Sequence, residues 1–204
     1  MALFYAMEIV FATNNIHKLK EVSAILGKKH RILGLTDLDI NEEIPENHNT
    51  LEENASQKAW FIYRSTGRNC FADDTGLEVN ALDGEPGVYS ARYSRVGDPV
   101  FPEMNIVKGN IRKLLMKMEG IADRRAQFRT VISLIINGIE YKFEGMIKGE
   151  ITMKPSGSEG FGYDPVFKPE GHDGTFAEMD LETKNRISHR ALATAGLAQF
   201  LNKM

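Results

Sequence analysis

The sequence predicts a mixed α/β fold, a twisted mixed sheet with flanking helices, from two observations. The first is a strand-turn-helix opening, in which a short apolar run at 7–12 is followed by apolar residues at helical spacing over 16–26. The second is Asn137-Gly138, a strong hairpin signal, between two segments of alternating polarity predicted as strands, 126–136 and 139–143. An antiparallel ribbon beside strands that alternate with helices favours a mixed sheet over a regular βαβ series.

Three further helices are predicted from capping residues and periodicity. Thr50 and Glu53 form a capping box before an apolar helix face, and Gly67 is suited to end that helix. A third helix is expected between Val107 and Met118, since its apolar residues recur at helical spacing. The last helix is expected to be continuous over 181–201.

Acidic residues follow a brief strand predicted at 70–72. Asp73-Asp74-Thr75-Gly76 is therefore expected at a strand end, and Glu42, Glu43 and Glu46 form a second acidic stretch. Hard divalent cations such as Mg²⁺ take carboxylate oxygens, and a carboxylate beside the metal can accept a proton from an attacking water. The alternative is a tight Asx turn with solvated glutamates in a loop.

Composition indicates the broad class of the protein. A chain of 204 residues with 42% hydrophobic content and no linker or repeat is expected to form a single domain over 1–204. The net charge of -3 lacks the basic field of a nucleic-acid binder. The lone Cys70 excludes an intrachain disulfide and is typical of the cytoplasm. Without a signal peptide or an apolar run of roughly 20 residues, no membrane association is expected.

A phosphate-binding helix start is suggested by Thr13-Asn14-Asn15 with Lys18. A helix N-terminus presents unpaired N–H groups and partial positive charge, and a lysine in the first turn can reach back towards an anion there. The alternative is an ordinary Asn or Thr cap with a solvated lysine. The spacing of a P-loop is absent.

Two segments near the C-terminus offer ligand contacts. The loop Ser156–Pro165 contains three glycines that allow close backbone approach, and its Phe161 presents a face on which a base can stack; alternatively its aromatic residues fill the core. Lys184 and Ser188-His189-Arg190 supply polar donors for phosphate or base, and the alternative is a solvated helical turn.

Together these motifs resemble the Ham1-like family of inosine and xanthosine triphosphate pyrophosphatases. The matching motifs, in chain order, are Phe11-Ala-Thr-Asn-Asn-Ile-His-Lys18 with Glu21, Glu53-Asn54-Ala55 with Lys58-Ala59, Ala72-Asp-Asp-Thr-Gly-Leu77, Gly87-Val-Tyr-Ser-Ala-Arg-Tyr93, Gly160-Phe-Gly-Tyr-Asp-Pro165 and Ile187-Ser-His-Arg190. They extend through nearly the whole chain. Asn14 stands where the family usually has Gly, and Thr75 where Ser is commoner; both changes keep the segment polar.

The resemblance implies Mg²⁺-dependent hydrolysis of inosine, deoxyinosine and xanthosine triphosphates to the monophosphate and pyrophosphate. Asp74 is then the general base and a Mg²⁺ ligand, with Glu46 the second ligand and Glu43 its alternative. The implied substrate-binding residues are Thr13, Asn14, Asn15, Ile16, His17, Lys18, Thr75, Phe161, Gly162, Tyr163, Asp164, Lys184, His189 and Arg190. Phe161 is expected against the base, and His189 and Arg190 near its 6-position.

The family resemblance also implies an elongated domain of two lobes with a central cleft, and a homodimer. Three alternatives remain open at this stage. A Maf-like pyrophosphatase acting on pyrimidine or modified nucleotides is disfavoured by Ser188-His189-Arg190. A single-strand binder stacking bases on Phe161 and Tyr163 is disfavoured by the near-neutral charge. The paired acids disfavour both this binder and a non-catalytic nucleotide sensor.

Overall fold

A computed structural model describes residues 7–27, 29–42, 44–97, 99–101 and 105–204. The described residues divide into two compact units. Unit 1 comprises the described residues of Met1–Asp74 together with Thr130–Gly145 and His189–Met204, and unit 2 comprises those of Thr75–Arg129 and Met146–Ser188. The single domain, its two lobes and its cleft stay predictions.

The mixed α/β class with flanking helices is confirmed. The helices are α1 Ile16–Leu26, α2 Leu51–Thr66, α3 Ile106–Lys117, α4 Leu181–Ile187 and α5 His189–Leu201. The strands are β1 Met7–Phe11, β2 His30–Leu33, β3 Cys70–Val79, β4 Pro86–Gly87, β5 Arg125–Ile136, β6 Ile139–Ile151 and β7 Phe167–Pro169. Their order is β2-β1-β3-β5-β6-β7, with β4 paired to β3. Strands β2 and β3 are parallel to β1, whereas β4 and β7 are antiparallel to their partners. No helix in the described part of the chain is both long and apolar enough to cross a membrane.

Unit 1 has helices on both faces of its strands because β1 is apolar on both faces. Ile9 and Phe11 belong to one buried cluster, which includes residues of α1 and α5. Val10 and Ala12 belong to the other, which includes residues of α2. Successive strand residues point to opposite faces, so this continuous apolar run is typical of a parallel strand covered on both sides.

The chain reverses its direction of winding at β1, which lies between β2 and β3 in the sheet. Helix α1 leads from β1 to β2 on one side, and α2 leads back to β3 on the other. In open α/β sheets, ligands bind outside the carboxyl ends of the strands at such a reversal. The last residue pair between β1 and β3 is Phe11 with Phe71, so β3 continues beyond the end of β1.

The predicted hairpin is present, and its second strand is longer than predicted. Asn137 and Gly138 have positive φ values of 51° and 79°, as a two-residue turn of this type requires. Strand β6 continues to Ile151 rather than ending at Phe143. The apolar alternation is interrupted at Gly145, where a Cβ would lie 2.1 Å from the carbonyl oxygen of His189, so α5 packs directly on the strand backbone.

The single C-terminal helix predicted over 181–201 is wrong, because the chain forms two helices there. Ser188 has an extended conformation, with φ of -68° and ψ of 153°, and it separates α4 from α5. Neither glycine nor proline marks this break, so the apolar periodicity gave no sign of it. The first residues of α5, His189 and Arg190, are buried, and Arg190 pairs with Asp73 and Glu21.

Unit 2 is built around aromatic side chains. The ring centroids of Phe128 and Phe167 lie 4.7 Å apart, and those of Phe167 and Phe176 lie 5.3 Å apart. The buried side chain of Tyr163 belongs to the same cluster. Helix α3 packs on the short segment Ser90–Arg95. The side chain of Asn110 in α3 accepts from the backbone N–H of Ser94 and donates to the backbone carbonyls of Ser90 and Ala91.

His30 is a buried titratable group in unit 1. It begins β2, pairs with Met7 and is only 4% exposed. Within the described ranges, neither of its ring nitrogens has a hydrogen-bond partner. Burial, with a smaller contribution from Lys29, lowers the pKa of His30 below its ordinary value of 6.5. The folded protein therefore holds this imidazole neutral.

Replacing His30 with leucine is expected to weaken the dependence of stability on pH. Below about pH 6.5 the unfolded chain binds a proton at His30 that the folded chain excludes, so the free energy of unfolding falls as the pH drops towards the folded-state pKa. Urea unfolding measures the free energy of unfolding at several pH values from about 7.5 to 5.5. The slope of this free energy against pH should be steeper for wild type than for His30→Leu, by up to about 1.4 kcal/mol per pH unit. His172→Leu is the control, and equal slopes for wild type and His30→Leu would contradict the prediction.

Candidate active site

The paired acids lie within a strand, and the prediction that they follow a strand end is wrong. Strand β3 runs for 10 residues through Asp73 and Asp74 to Val79, which also excludes the Asx turn. Both residues are buried, with exposures of 2% and 8%. A strand with two adjacent buried carboxylates is stable only where cations neutralise them, and here three cationic side chains do so.

Strand geometry directs the two carboxylates to opposite faces. Phe71 belongs to the cluster covered by α1 and α5, whereas Ala72 belongs to the cluster covered by α2. Because side chains alternate along a strand, Asp73 lies on the α1 and α5 face and Asp74 on the α2 face. Their partners agree with this assignment, since Asp73 contacts Lys18 of α1 and Asp74 contacts Lys58 of α2.

Asp73 is the centre of a buried chain of ion pairs. One carboxylate oxygen accepts from Lys18 Nζ at 2.8 Å and the other from Arg190 Nε at 3.0 Å. Arg190 also donates through a terminal nitrogen to Glu21, at 2.5 Å. Burial opposes the ionisation of Asp73, but Lys18 and Arg190 outweigh it and hold its pKa well below the usual range. Burial is the larger effect at Lys18 and lowers its pKa, although Asp73 opposes the shift.

Asp74 and Glu46 share one cation. Lys58 Nζ donates to Asp74 at 3.0 Å and also contacts a carboxylate oxygen of Glu46. Burial favours the neutral amine, but the two carboxylates outweigh it and raise the pKa of Lys58. At Asp74 burial dominates and raises the pKa, with Lys58 opposing. Glu43, the alternative to Glu46, lies outside the described residues.

These contacts form two ionic groups, one on each face of β3 just beyond the end of β1, and together they make up the charged cluster. Its members are Lys18, Lys58, Arg190, Glu21, Glu46, Asp73 and Asp74. Three cations and four carboxylates give a net charge of -1. No group of three His, Cys, Asp or Glu side chains suited to a metal ion occurs in the part of the chain that the structure describes. At Lys58, the described residues bring two carboxylate side chains together, those of Glu46 and Asp74.

The helix start at Thr13–Lys18 serves both as a cap and as part of the cluster. Asn15 is the N-cap of α1, and its side chain accepts from the backbone N–H groups of His17 and Lys18 at 2.9 and 3.3 Å. The ordinary-cap alternative is therefore correct for Asn15. It is wrong for Lys18, whose side chain is 17% exposed and paired with Asp73. Between cap and strand lie Thr13 and Asn14, and the exposed Ile16 is the first helical residue.

Unit 2 contains a second ionic group in the glycine-rich loop. Asp164 is 3% exposed, and one of its oxygens accepts from Phe161 N and from Lys184 Nζ, each at 2.7 Å. Lys184 Nζ lies 4.8 Å from the centroid of the Phe161 ring. Gly160 has φ of 74°, and a Cβ there would lie 2.1 Å from Asp164. The glycine thus permits the carboxylate to hold both the aromatic loop and the lysine.

The remaining predicted site residues differ in their surroundings. The hydroxyl of Tyr163 donates to the carbonyl of Ser90 at 3.1 Å inside the core, as the core-filling alternative expected. Gly162 lies in the loop beside it with φ of 64°. Thr75 follows Asp74 in β3 and is half-buried, and it belongs to unit 2.

The solvated alternative for the C-terminal segment is wrong. Lys184, His189 and Arg190 are 3%, 3% and 2% exposed. The guanidinium of Arg190 contacts Asp73 and Glu21, so in this structure it is directed into the charged cluster of unit 1. Contact of Arg190 with a purine 6-position stays a prediction.

Three members of the charged cluster are not among the predicted site residues, although each lies in a motif of the sequence: Lys58, Asp73 and Glu21. A signal for Lys58 was present, because it lies one turn from Ala55 and one turn from Ile62 on the apolar face of α2. A charged side chain on such a face is rarely buried without a partner. Asp73 was visible as an acid, but which face each of the two acids occupies depends on β3 continuing through them.

Comparison with known proteins identifies the family. The profile of the Ham1 family matches residues 9–200. The chain belongs to the Ham1 family. A Porphyromonas gingivalis protein named dITP/XTP pyrophosphatase is 52% identical to this Ham1 family member over 195 residues, covering 95% of this chain and 97% of the relative. A Flavobacterium johnsoniae protein of the same name is 48% identical, covering 96% and 98%.

Solved Ham1 structures agree with the fold of this family member. The Staphylococcus aureus Ham1 protein is 39% identical and has a TM-score of 0.83, covering 96% of this chain and 98% of its own. A HAM1 protein from Coxiella burnetii is 36% identical with a TM-score of 0.85, covering 97% and 100%. The resemblance inferred from the motifs is thus confirmed.

Replacing Arg190 with methionine is expected to destabilise this Ham1 family member. The change leaves Asp73 and Glu21 buried without their shared cation, which typically costs about 3–5 kcal/mol. Urea unfolding at neutral pH measures the loss. Arg186→Met is the matched control, because Arg186 and Glu182 form an exposed pair and its loss should leave the unfolding midpoint nearly unchanged. Equal midpoints for Arg190→Met and wild type would contradict the account of the buried chain.

Proposed function

We propose that the chain hydrolyses deaminated purine nucleoside triphosphates, namely ITP, dITP and XTP, to the nucleoside monophosphate and pyrophosphate. The observation that carries this is the 52% identity, over 95% of the chain, to a protein named dITP/XTP pyrophosphatase. The charged cluster is consistent with it, since phosphoanhydride hydrolysis needs a base and charge neutralisation close together. Such an enzyme removes deaminated purines from the nucleotide pool.

The roles within the cluster follow from charge and accessibility. Asp74 is the base, because its carboxylate is 11% exposed and burial raises its pKa towards neutral pH. Lys18 supplies positive charge to the phosphates, since its side chain is the most exposed of the three cations. Asp73 holds Lys18 and Arg190 in place without itself being accessible.

Magnesium is the metal that the carboxylates of Glu46 and Asp74 suit best. Both reach one ammonium group, that of Lys58, so they converge on a cationic position. Two carboxylates completed by water and substrate phosphates are the usual protein contribution to a Mg²⁺ site. When bound, the ion neutralises charge on the phosphates during hydrolysis. The net charge of -1 in the cluster would otherwise repel a triphosphate.

Base recognition is assigned to polar and aromatic groups of the glycine-rich loop and the C-terminal segment. In unit 2, Phe161 offers its ring for stacking, and Asp164 holds Phe161 beside Lys184. Donors that face a 6-oxo group would be mismatched with the 6-amino group of adenine, and buried mismatches of this kind give strong discrimination. A homodimer in the cytoplasm, without nucleic-acid or membrane partners, completes the proposal.

Pyrophosphate release tests the proposed function directly. We expect release from ITP, dITP and XTP in the presence of Mg²⁺, and at least about 100-fold less from ATP, since a mismatched buried polar group discriminates by this order or more. Chelation of Mg²⁺ should abolish the reaction. Release of orthophosphate alone, or a preference for pyrimidine triphosphates, would contradict the proposal. Equal rates with ATP would refute the account of base recognition while leaving the chemistry intact.

Replacing Asp74 with asparagine is expected to abolish turnover with little effect on substrate affinity. The amide keeps the size of the side chain but cannot accept the proton of the attacking water, and loss of a general base lowers kcat by about 10²–10⁴-fold. Steady-state kinetics with dITP measures kcat, and equilibrium binding of dITP to the variant measures affinity. Glu119→Gln, an exposed acid that follows α3 in unit 2, is the matched control. Wild-type kcat in Asp74→Asn would remove Asp74 from the mechanism.

A further inference from the structure

Glu46 lies in a segment that has no helix or strand of its own. Its side chain is 35% exposed, and the described residues from 44 to 48 form neither element. A carboxylate on such a segment loses conformational entropy when it is held at one position. Some other part of the protein must therefore fix the backbone if Glu46 is to have a defined location.

Helix α2 holds three successive residues of this segment with three of its side chains. Lys58 contacts the carboxylate of Glu46. One residue later, the side-chain oxygen of Gln57 accepts from the backbone N–H of residue 47 at 3.1 Å. The side chain of Asn54 then bonds the backbone of residue 48. Positions 54, 57 and 58 lie on adjacent turns of one helix face, so the helix presents them as a row.

Asn54 makes the most complete of these contacts. Its side-chain oxygen accepts from His48 N at 3.0 Å, and its side-chain nitrogen donates to His48 O at 3.2 Å. Both polar groups of one backbone residue are thus bonded by one amide. Asn54 is 1% exposed and its bonds to His48 are partly buried, whereas the Gln57 contact is exposed. Losing a buried partner of this kind leaves unsatisfied polar groups.

We propose that Asn54 is a positioning residue for Glu46, with Gln57 as a weaker second support. Asn54 fixes the backbone two residues beyond Glu46, and the carboxylate is thereby held beside Asp74 and Lys58. The inference rests on the proposed function, in which Glu46 is a ligand of Mg²⁺. Residues that orient metal ligands without touching the metal commonly change metal affinity by about 10–100-fold when they are replaced.

The test measures metal binding separately from turnover. Mn²⁺ replaces Mg²⁺ as a probe, and its binding to the nucleotide-free protein is followed by electron paramagnetic resonance. Asn54→Ala is expected to raise the Kd for Mn²⁺ by about 10-fold or more, and Gln57→Ala by less. The Mg²⁺ concentration that gives half-maximal turnover of dITP should rise in parallel, and excess Mg²⁺ should restore most of kcat. Hydrogen exchange at the His48 amide should accelerate in Asn54→Ala.

Two further variants separate the possible outcomes. Ile62→Val removes a methyl group from the buried face of the same helix, eight residues beyond Asn54, so it controls for general destabilisation of α2. Glu46→Gln tests the ligand itself. If Glu46→Gln weakens Mn²⁺ binding and Asn54→Ala does so no more than Ile62→Val, the positioning role is refuted and the proposed function survives. If Glu46→Gln leaves Mn²⁺ binding unchanged, Glu46 is not a metal ligand, and the positioning role of Asn54 is refuted with it. If Asn54→Ala does not fold, the comparison uses Gln57→Ala instead. The proposal is then refuted if Gln57→Ala changes the Kd for Mn²⁺ no more than Ile62→Val does.

Discussion

Neutralisation of two adjacent buried carboxylates is the constraint on which the rest of unit 1 depends. Asp73 and Asp74 point to opposite faces of β3, so no single cation can serve both. Lys18 and Arg190 approach from the α1 and α5 face, and Lys58 approaches from the α2 face. The two buried carboxylates therefore destabilise the strand until the helices on both faces have packed against it and their cations have paired with the acids.

The two faces provide different chemical environments from one short sequence. Asp73 accepts from two strong donors and has a lowered pKa, which suits a permanently charged structural acid. Asp74 is bonded by Lys58 and keeps a raised pKa, which suits proton transfer. Neighbouring acids with pKa values shifted in opposite directions are a common way to separate structural and catalytic roles.

Local sequence signals predicted most elements because those elements depend on local chemistry. The Thr50 cap, the Gly67 end of α2 and the Asn137-Gly138 turn each rest on a backbone preference of the residue itself. The break at Ser188 was not predicted, because no residue there has a backbone preference that ends a helix. Likewise, the continuation of β3 through its two acids depends on cations that lie distant in sequence, which no local pattern reveals. The motif resemblance identified the candidate residues, but their pairing required the fold.

The ion pairs of Arg190 join segments far apart in the chain. Arg190 is 117 residues from Asp73 and 169 from Glu21. Contacts of such long range form late, since the intervening chain must first be closed into a loop. During synthesis on the ribosome, the first strands and helices emerge well before α5, so a growing chain carries Asp73 and Glu21 without their shared cation. The charged cluster is thus completed only when the last helix has been synthesised, because a chain that stops before α5 lacks the cation shared by Asp73 and Glu21.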